Sequence, residues 1–558
     1  MKKIYRITAI LLCLCIALLS CGCNSDTKKP AKRKPTTSSV ASGENGDNVS
    51  SDNDTDDVVS SDDNDIGDID IPDFDDSDFN LEVSTAVTFK KTAAQTNYAG
   101  IGGNVPVYLY FPDDTIGDGG FSEKEIELSI KRVVDSGVDI VRAYGVMPGQ
   151  STSADGKSWD WNSKYMQCFY RYAKAMQDNG IDIILNPNQG MGQSSYSDPG
   201  LSKMQEATGK TYQELFAEWC VEYVREVVIK RGFSNIKYLM YATEPNNGSR
   251  AYDLKYVDEW LSYVSAAHNA LKTAGLRGRW KIVGPNIAVS SNSWDTAQIE
   301  KERAQGVKWI DYIIDNCNEA VDIYSVHDYY NSNLYGGFGQ DAYKFYKDFC
   351  EYAKNSIKRT GKPFWWDEWN ISSGRDESTL NDPLRAYEVA MGMLSQMTNG
   401  ANHSVVWFLL DTKWPGSTKT AYGEYDEGVM KMGVIPSALQ SATPYPAFYS
   451  FALVSSAVQP GDDVYSLTDD AGWIHAMLLK HKNGKYSIVA INASYDTSNV
   501  TFNIPWNLKG TFERAVYDPL THTPTPDGKT IKPTSTVKIT NTFTDKISAY
   551  QVVVYNQK

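Results

Sequence analysis

The stretch "PFWWDEWNIS", residues 363–372, places an Asp–Glu pair inside an aromatic run. Burying an acid among aromatic side chains costs free energy unless the carboxylate is paired or used. A second apolar run, "YLMYATEPNN" at 238–247, carries Glu244 near its end. Short runs of nearly continuous apolar character between amphipathic stretches are typical of strands in a parallel sheet. The sequence therefore raises the question of whether two such strands bring Glu244 and Glu368 to one site.

Eight runs of this kind occur, with helical patterns between them. They cover residues 97–103, 138–144, 181–187, 236–244, 280–286, 321–330, 363–370 and 404–411. Helices are predicted from Ser122, where Glu125 completes a capping box, and over 211–230 and 341–359. Eight βα units over about 360 residues predict an α/β fold, the (β/α)8 TIM barrel. The alternative, a doubly wound open sheet, would favour a glycine-rich phosphate loop, and "GIGGNVP" lacks the GxGxxG spacing.

The pattern changes after residues 445–458, which are predicted to form the closing helix of the barrel. Alternation with a period of two follows, and Asn483-Gly484 separates two strand-like runs, a strong hairpin signal. These features predict a TIM-barrel catalytic domain at 85–458 and a small antiparallel β-sandwich at 459–558. The segment 81–93 is a candidate for one further strand of the sandwich.

Residues 1–20 are predicted to be a signal peptide, because basic residues precede an apolar run at 9–19 that is shorter than a typical membrane span. A disordered acidic tether rich in Ser and Asp is predicted for 21–84. Residues 44–82 hold 14 Asp and two Glu without Lys or Arg, and the net charge of the whole chain is −15. The remainder therefore sums to +1, so the composition gives no indication of a nucleic-acid partner.

The segment "LLSC", Leu18 to Cys21, resembles the lipobox of bacterial lipoproteins. The resemblance implies cleavage before Cys21, a lipid on Cys21, and attachment to the extracellular face of a bacterial cell membrane. An ordinary signal peptide with an incidental cysteine is the alternative. The eight cysteines show no CxxC or His–Cys spacing typical of a metal site, so we predict no metal and no cofactor.

Catalytic groups of a TIM barrel lie at the C-terminal ends of its strands. Glu244 lies at the end of the fourth predicted strand and Glu368 at the end of the seventh, and these strands face each other across the barrel. Two carboxylates about 5–5.5 Å apart are the arrangement of a retaining glycosidase, one as nucleophile and the other as acid and base. The alternative for each acid is a solvated position on a loop.

Other strand ends supply candidate substrate-binding residues. Arg142 is expected to pair with the nucleophile and to lower its pKa. His327 and Tyr329, two residues apart on strand six, are both expected to face inward, with the tyrosine hydroxyl bonded to Glu368. For His327 the alternative is a core histidine with satisfied hydrogen bonds.

Three neighbouring residues have expected roles that differ from these. Asp367 is expected to point to the opposite side of its strand and to form a structural hydrogen bond. Trp366 and Trp414 are expected to offer indole faces to the C–H face of a sugar.

The motifs "TEPN" (243–246) and "WDEWN" (366–370) resemble those of the large clan of retaining (β/α)8 glycoside hydrolases. With "VGPN", "SVHDYY" and the trailing sandwich, the chain is most similar to glycoside hydrolase family 39, with families 30, 51 and 5 as neighbours. The resemblance covers residues 85–558. It implies that Glu244 is the acid/base and Glu368 the nucleophile. It also implies β-xylosidase-like or related activity on plant-type polysaccharides or oligosaccharides.

Thr243 departs from the clan, which has Asn immediately before the acid/base, where its amide contacts the sugar 2-hydroxyl. Asn188 and Asn246 are candidates for the missing amide. A catalytically weak or inactive carbohydrate-binding surface lipoprotein on the same scaffold is the alternative function.

Overall fold

The structure is a computed structural model. It describes residues 83–106, 122–144, 146–187, 198–246, 254–289, 296–330, 332, 341–371, 377–413, 429–430, 443–469 and 472–558. The predicted signal peptide, nearly all of the predicted tether, Cys21, Asn188 and Trp414 lie outside these residues. Within the described ranges, no helix is both long and apolar enough to cross a membrane.

Eight parallel strands form a closed barrel, preceded in the chain by β1 (Val83–Thr88), which belongs to the C-terminal domain. The barrel strands are β2 (Ile101–Pro106), β3 (Ile140–Tyr144), β4 (Asp182–Asn186), β5 (Ile236–Met240), β6 (Lys281–Ala288), β7 (Ile323–Tyr330), β8 (Phe364–Ile371) and β9 (His403–Val406). Each strand pairs with the next, and β9 pairs with β2 to close the ring. The predicted TIM barrel and its eight strands are therefore confirmed.

The described helices lie between the barrel strands and after them. They are α1 (Glu123–Asp135), α2 (Lys164–Asp178), α3 (Pro199–Thr208), α4 (Tyr212–Tyr223), α5 (Leu254–Thr273), α6 (Thr296–Cys317), α7 (Ala342–Lys358), α8 (Glu377–Leu380), α9 (Pro383–Thr398) and α10 (Pro446–Ser455). A π-helical turn, Val224–Lys230, continues α4.

Helix starts follow the capping chemistry seen in the sequence. The Ser122 hydroxyl accepts from the backbone N–H of Glu125, whose carboxylate accepts from the Ser122 N–H at 2.6 Å. Thr211 forms the same capping box with Glu214, and Asp341 caps α7. Each cap satisfies N–H groups that have no partner inside the helix. The predicted starts of α1, α4 and α7 are confirmed.

The C-terminal domain is built from two sheets. After the short pair β10 (Thr412–Lys413) and β11 (Val429–Met430) come β12 (Asp463–Ser466), β13 (Ile474–Lys480), β14 (Tyr486–Asn492), β15 (Ser498–Asn503), β16 (Gly510–Tyr517), β17 (Ser535–Ile539), β18 (Thr542–Ile547) and β19 (Val552–Gln557). One sheet has the order β12-β13-β14-β19-β16-β17, and the other has the order β1-β15-β18. The predicted hairpin at Asn483-Gly484 joins β13 to β14.

The strand predicted within 81–93 is also confirmed. β1 pairs in parallel with β15, from Val83 opposite Ser498 to Thr88 opposite Asn503. The two sheets enclose a core that includes Val87, Phe502 and Tyr555. The sandwich therefore contains a strand from before the barrel as well as those that follow it.

Candidate active site

Strand β8 carries the nucleophile candidate and is buried along its whole length. Its neighbour β7 pairs Val326 with Trp366 and then His327 with Glu368, so Asp367 is an extra residue in β8. Such a bulge lets two successive side chains face the same side of a sheet. Asp367 and Glu368 therefore both point into the barrel, and the expectation that Asp367 faces the opposite side is wrong. The structural hydrogen bond expected of Asp367 is present, because the Asn286 amide donates to its Oδ2 at 3.0 Å.

Glu368 is only 3% exposed and has three charged or polar partners in the barrel. Arg142 Nη1 donates to Glu368 Oε2 at 2.6 Å. The Tyr329 hydroxyl donates to Glu368 Oε1, and His327 Nδ1 lies 3.3 Å from Glu368 Oε2. The predicted pairings of Arg142 and Tyr329 with Glu368 are confirmed.

Burial and the partners act in opposite directions on Glu368. Burial raises the pKa of its carboxyl above the usual range, while His327 and then Arg142 lower it. The expectation that Arg142 lowers this pKa has the right sign for the arginine, but the net direction is upward because desolvation penalises the charged form.

Glu244 lies four residues beyond the end of β5, in backbone of left-handed φ (46°). Its backbone N–H donates to the Asn286 carbonyl at 3.0 Å and lies 3.3 Å from Asn286 Oδ1. An L-residue rarely adopts positive φ unless its surroundings fix it. The loop therefore aims Glu244 at the barrel axis, where its side chain is 23% exposed.

His327 stands between the two glutamates. Its Nδ1 lies 3.4 Å from Glu244 Oε1, and one ligand-type atom of each of Glu244, His327 and Glu368 lies within 4.8 Å of the others. Burial lowers the pKa of His327, but Glu368 and Asp367 outweigh it and raise the pKa to about 9. His327 is therefore a member of the site, and the carboxylates around it favour its charged form.

This spacing also occurs in metal sites, but the Glu368 oxygens already accept from Arg142 and Tyr329. A cation would compete there with the guanidinium. The donor set therefore fits an ion-pair network better than a metal centre.

Thr243 and two asparagines hold Arg142 in place. The Thr243 hydroxyl accepts from Arg142 Nη2 at 2.8 Å and from Asn186 Nδ2 at 3.1 Å. Asn104 Oδ1 accepts from Arg142 Nη1 at 2.9 Å. The sequence interpretation missed Asn104 and Asn186. Each lies towards the C-terminal end of a barrel strand, and this position could have identified both as site residues.

Two candidate substrate-binding residues are not available to a sugar in the way expected. Trp366 is fully buried against α7, with its Nε1 3.2 Å from Cys350 Sγ, because it precedes the bulge and faces outward. The Asn246 amide donates to the Ala288 carbonyl at 2.6 Å and accepts from the Ala288 N–H at 2.9 Å. Trp366 is therefore a core residue. Asn246 ties the β5 loop to β6, so it does not replace the missing amide.

A different tryptophan lies beside the site. Trp407 directly follows β9 and is 8% exposed, and the guanidinium of Arg142 lies 5.9 Å from its ring centroid. Trp414, the residue expected there, lies outside the described residues, as does Asn188.

A closed eight-stranded barrel with two glutamates at its mouth is the architecture of the glycoside hydrolases of the large (β/α)8 clan. Residues 117–413 match the sequence model of the cellulase family, glycosyl hydrolase family 5, and the chain belongs to that family. The predicted clan is thus confirmed, with family 5 as the matching family. No curated protein sequence matches the chain.

Solved structures of three neighbouring families share the fold. A family 30 subfamily 8 xylanase from Clostridium acetobutylicum is 16% identical, with a TM-score of 0.53 over 85% of this chain and 100% of the other. A family 51 α-L-arabinofuranosidase from Bifidobacterium longum is 14% identical, with a TM-score of 0.56 over 86% of this chain and 100% of the other. A family 39 β-xylosidase from Caulobacter crescentus is 12% identical, with a TM-score of 0.53 over 85% of this chain and 99% of the other.

Proposed function

We propose that this glycoside hydrolase cleaves O-glycosidic bonds by double displacement with retention of the anomeric configuration. Glu368 is the nucleophile, and Glu244 is the general acid and then the general base. The observation that carries the proposal is the approach of the two carboxylates, with one oxygen of each within 4.8 Å of the other. Inverting enzymes separate their carboxyl groups by about 6.5–9.5 Å to admit a water, and retaining enzymes by about 5–5.5 Å.

The surroundings of each glutamate support its role. Glu368 is buried and faces Arg142 and His327, which favour its ionised form. An ionised carboxylate without a water shell can attack an anomeric carbon. Glu244 is more exposed, as a group must be to protonate a leaving oxygen and later to activate a water.

For the substrate we propose plant-type polysaccharides or oligosaccharides, with β-xylosidase-like or related activity. The chain belongs to the cellulase family, family 5, and the support for a β-xylosidase-like substrate is the resemblance of its strand-end motifs to family 39. The xylanase, β-xylosidase and α-L-arabinofuranosidase among the similar structures make aryl xylosides, aryl arabinofuranosides and xylan the first substrates to assay. For the location we propose attachment to the outer face of the cell membrane through a lipid on Cys21.

Proton NMR of the first-formed sugar tests the mechanism. A freshly mixed reaction on an active aryl glycoside should show the product anomer with the configuration of the substrate before mutarotation begins. A first product of opposite configuration would exclude double displacement.

A further inference from the structure

Asp367 is the bulge residue of β8, and no step of the proposed mechanism uses it. It is fully buried, and its Oδ1 lies 3.0 Å from His327 Nε2, an ion-pair distance without the alignment of a hydrogen bond. Its Oδ2 accepts from Asn286, the same residue whose backbone carbonyl accepts from the Glu244 N–H. Asp367 thus contacts the far nitrogen of the histidine that faces both glutamates.

The other ring nitrogen of His327, Nδ1, faces the two glutamates. His327 Nδ1 lies 3.4 Å from Glu244 Oε1 and 3.3 Å from Glu368 Oε2. A neutral imidazole carries a proton on only one nitrogen, whereas an imidazolium carries one on each. Only the imidazolium carries a proton on both nitrogens, the one beside Asp367 and the one that faces the two glutamates.

The buried charges balance only if Asp367 is counted. In the form ready for reaction, Glu244 is protonated and Glu368 is ionised. Two anions, Glu368 and Asp367, then face two cations, Arg142 and His327, while Tyr329 is a neutral donor to Glu368. Buried charges are stable when they are paired in this way. Without the Asp367 charge, a protonated His327 would leave the cluster one positive charge in excess.

We infer that Asp367 is a positioning residue that keeps His327 protonated at both ring nitrogens, so that its Nδ1–H faces both catalytic carboxylates. The catalytic consequence rests on the proposed function, but the protonation state of His327 does not. The inference therefore has one test that needs no activity and one that does.

The first test is an NMR titration of the full protein carrying isotope-labelled histidine, with the His327 signal assigned from its absence in His327→Gln. In the wild type, His327 should show the shifts of an imidazolium at pH 7.5. A neutral His327 at pH 7.5 would overturn the inference whether or not the protein hydrolyses any glycoside.

The second test compares Asp367→Asn with Asp328→Asn. Asp328 adjoins His327 and is equally buried, but it faces Arg303 at 3.4 Å, so it controls for loss of a buried carboxylate. In Asp367→Asn, His327 should titrate below pH 7.5. Glu368 then loses a cation that favours its ionised form. The acid limb of the pH profile of kcat/KM should therefore move to higher pH by about one unit.

Asp328→Asn should leave both properties unchanged. An imidazolium that persists in folded Asp367→Asn, or equal shifts of the acid limb in both variants, would contradict the inference. If Asp367→Asn does not fold, the wild-type titration decides. If no glycoside is turned over, the proposed function fails, while the titration of His327 still decides the role of Asp367.

Discussion

Arg142 donates a hydrogen bond of 2.8 Å to the hydroxyl of Thr243, and its other terminal nitrogen donates to the nucleophile candidate at 2.6 Å. The residue that departs from the clan pattern therefore orients the guanidinium on Glu368. Thr243 is 8% exposed and also accepts from Asn186. Thr243 therefore belongs to the hydrogen-bond network around Arg142, and its hydroxyl oxygen rather than its methyl group makes the contact.

Replacing Thr243 by Val should lower kcat/KM, because the buried Nη2 of Arg142 loses its oxygen acceptor at nearly constant side-chain volume. A buried donor left without that partner costs about 1–3 kcal/mol, which corresponds to about a five- to 150-fold loss. Thr243→Ser retains the oxygen and should stay within a few-fold of the wild type. Steady-state kinetics on one aryl glycoside measures both. Equal losses in the two variants would show that the methyl group matters instead.

Thr243→Asn should change the preference among sugars. An amide is longer than a hydroxyl and can donate as well as accept, so it alters what the site presents near the sugar 2-hydroxyl. Xyloside, glucoside, galactoside and arabinofuranoside substrates with one leaving group should change in rank. A uniform gain on all four would mean that threonine is only a weaker form of the usual residue.

Glu368→Ala should abolish turnover of every substrate, since no covalent intermediate can form. Glu244→Ala should spare the first step for substrates with good leaving groups, which need little protonation, and should otherwise cost about 10²–10⁴-fold. Azide added to Glu244→Ala should restore the second step and yield a glycosyl azide, detectable by mass spectrometry. Equal losses on activated and unactivated substrates, without azide rescue, would contradict these roles.

Glu388 in α9 should make the protein less stable as the pH rises. It is buried, its Oε1 accepts from Ser332 at 2.8 Å, and its Oε2 has no hydrogen-bond partner among the described residues. Burial raises its pKa to about 8, so the folded state keeps a proton that the unfolded state releases near pH 4.5. A group with a raised folded pKa stabilises the protein below its unfolded pKa and loses that contribution as the pH rises towards 8.

Glu388→Gln removes this dependence. From pH 5 to pH 8 the wild type should lose about 2–4 kcal/mol of unfolding free energy relative to the variant, at about 1.4 kcal/mol per pKa unit. Urea unfolding at the two pH values measures the difference. Glu351→Gln, an exposed change on α7, is the control and should behave like the wild type at both pH values. A constant gap between Glu388→Gln and the wild type would exclude a buried neutral carboxyl.

Cys21→Ala should release the protein from the membrane fraction, because the proposed lipid has no other attachment point in the lipobox. Fractionation with metabolic labelling by a fatty acid analogue measures both properties. Retention of the variant in the membrane fraction at normal yield would rule out the anchor.

The barrel and its pair of facing glutamates were predictable because strand ends and helix caps are local patterns. Glu368, Arg142 and Tyr329 follow from their position on a strand, and Glu244 follows from the apolar run that leads to it. Asp367 does not, because a bulge adds one residue to β8 and reverses the expected alternation from that point.

The remaining errors have the same kind of origin. Trp366 faces the helices because the bulge begins only after it. Asn246 could not be excluded from the sequence, because its partner, the Ala288 backbone, is brought near only by the pairing of the β5 loop with β6. Asn186 was missed although it ends β4, two residues before the candidate Asn188.

The parallel pairing of β1 with β15 has a mechanical consequence. Six consecutive residues, Val83–Thr88, run alongside Ser498–Asn503, so a pull on the chain ahead of Val83 would be resisted first by the sandwich. When the pull lies along the strand, all the hydrogen bonds of the pair share it in shear. The domain that contains neither Glu244 nor Glu368 would thus carry this load first.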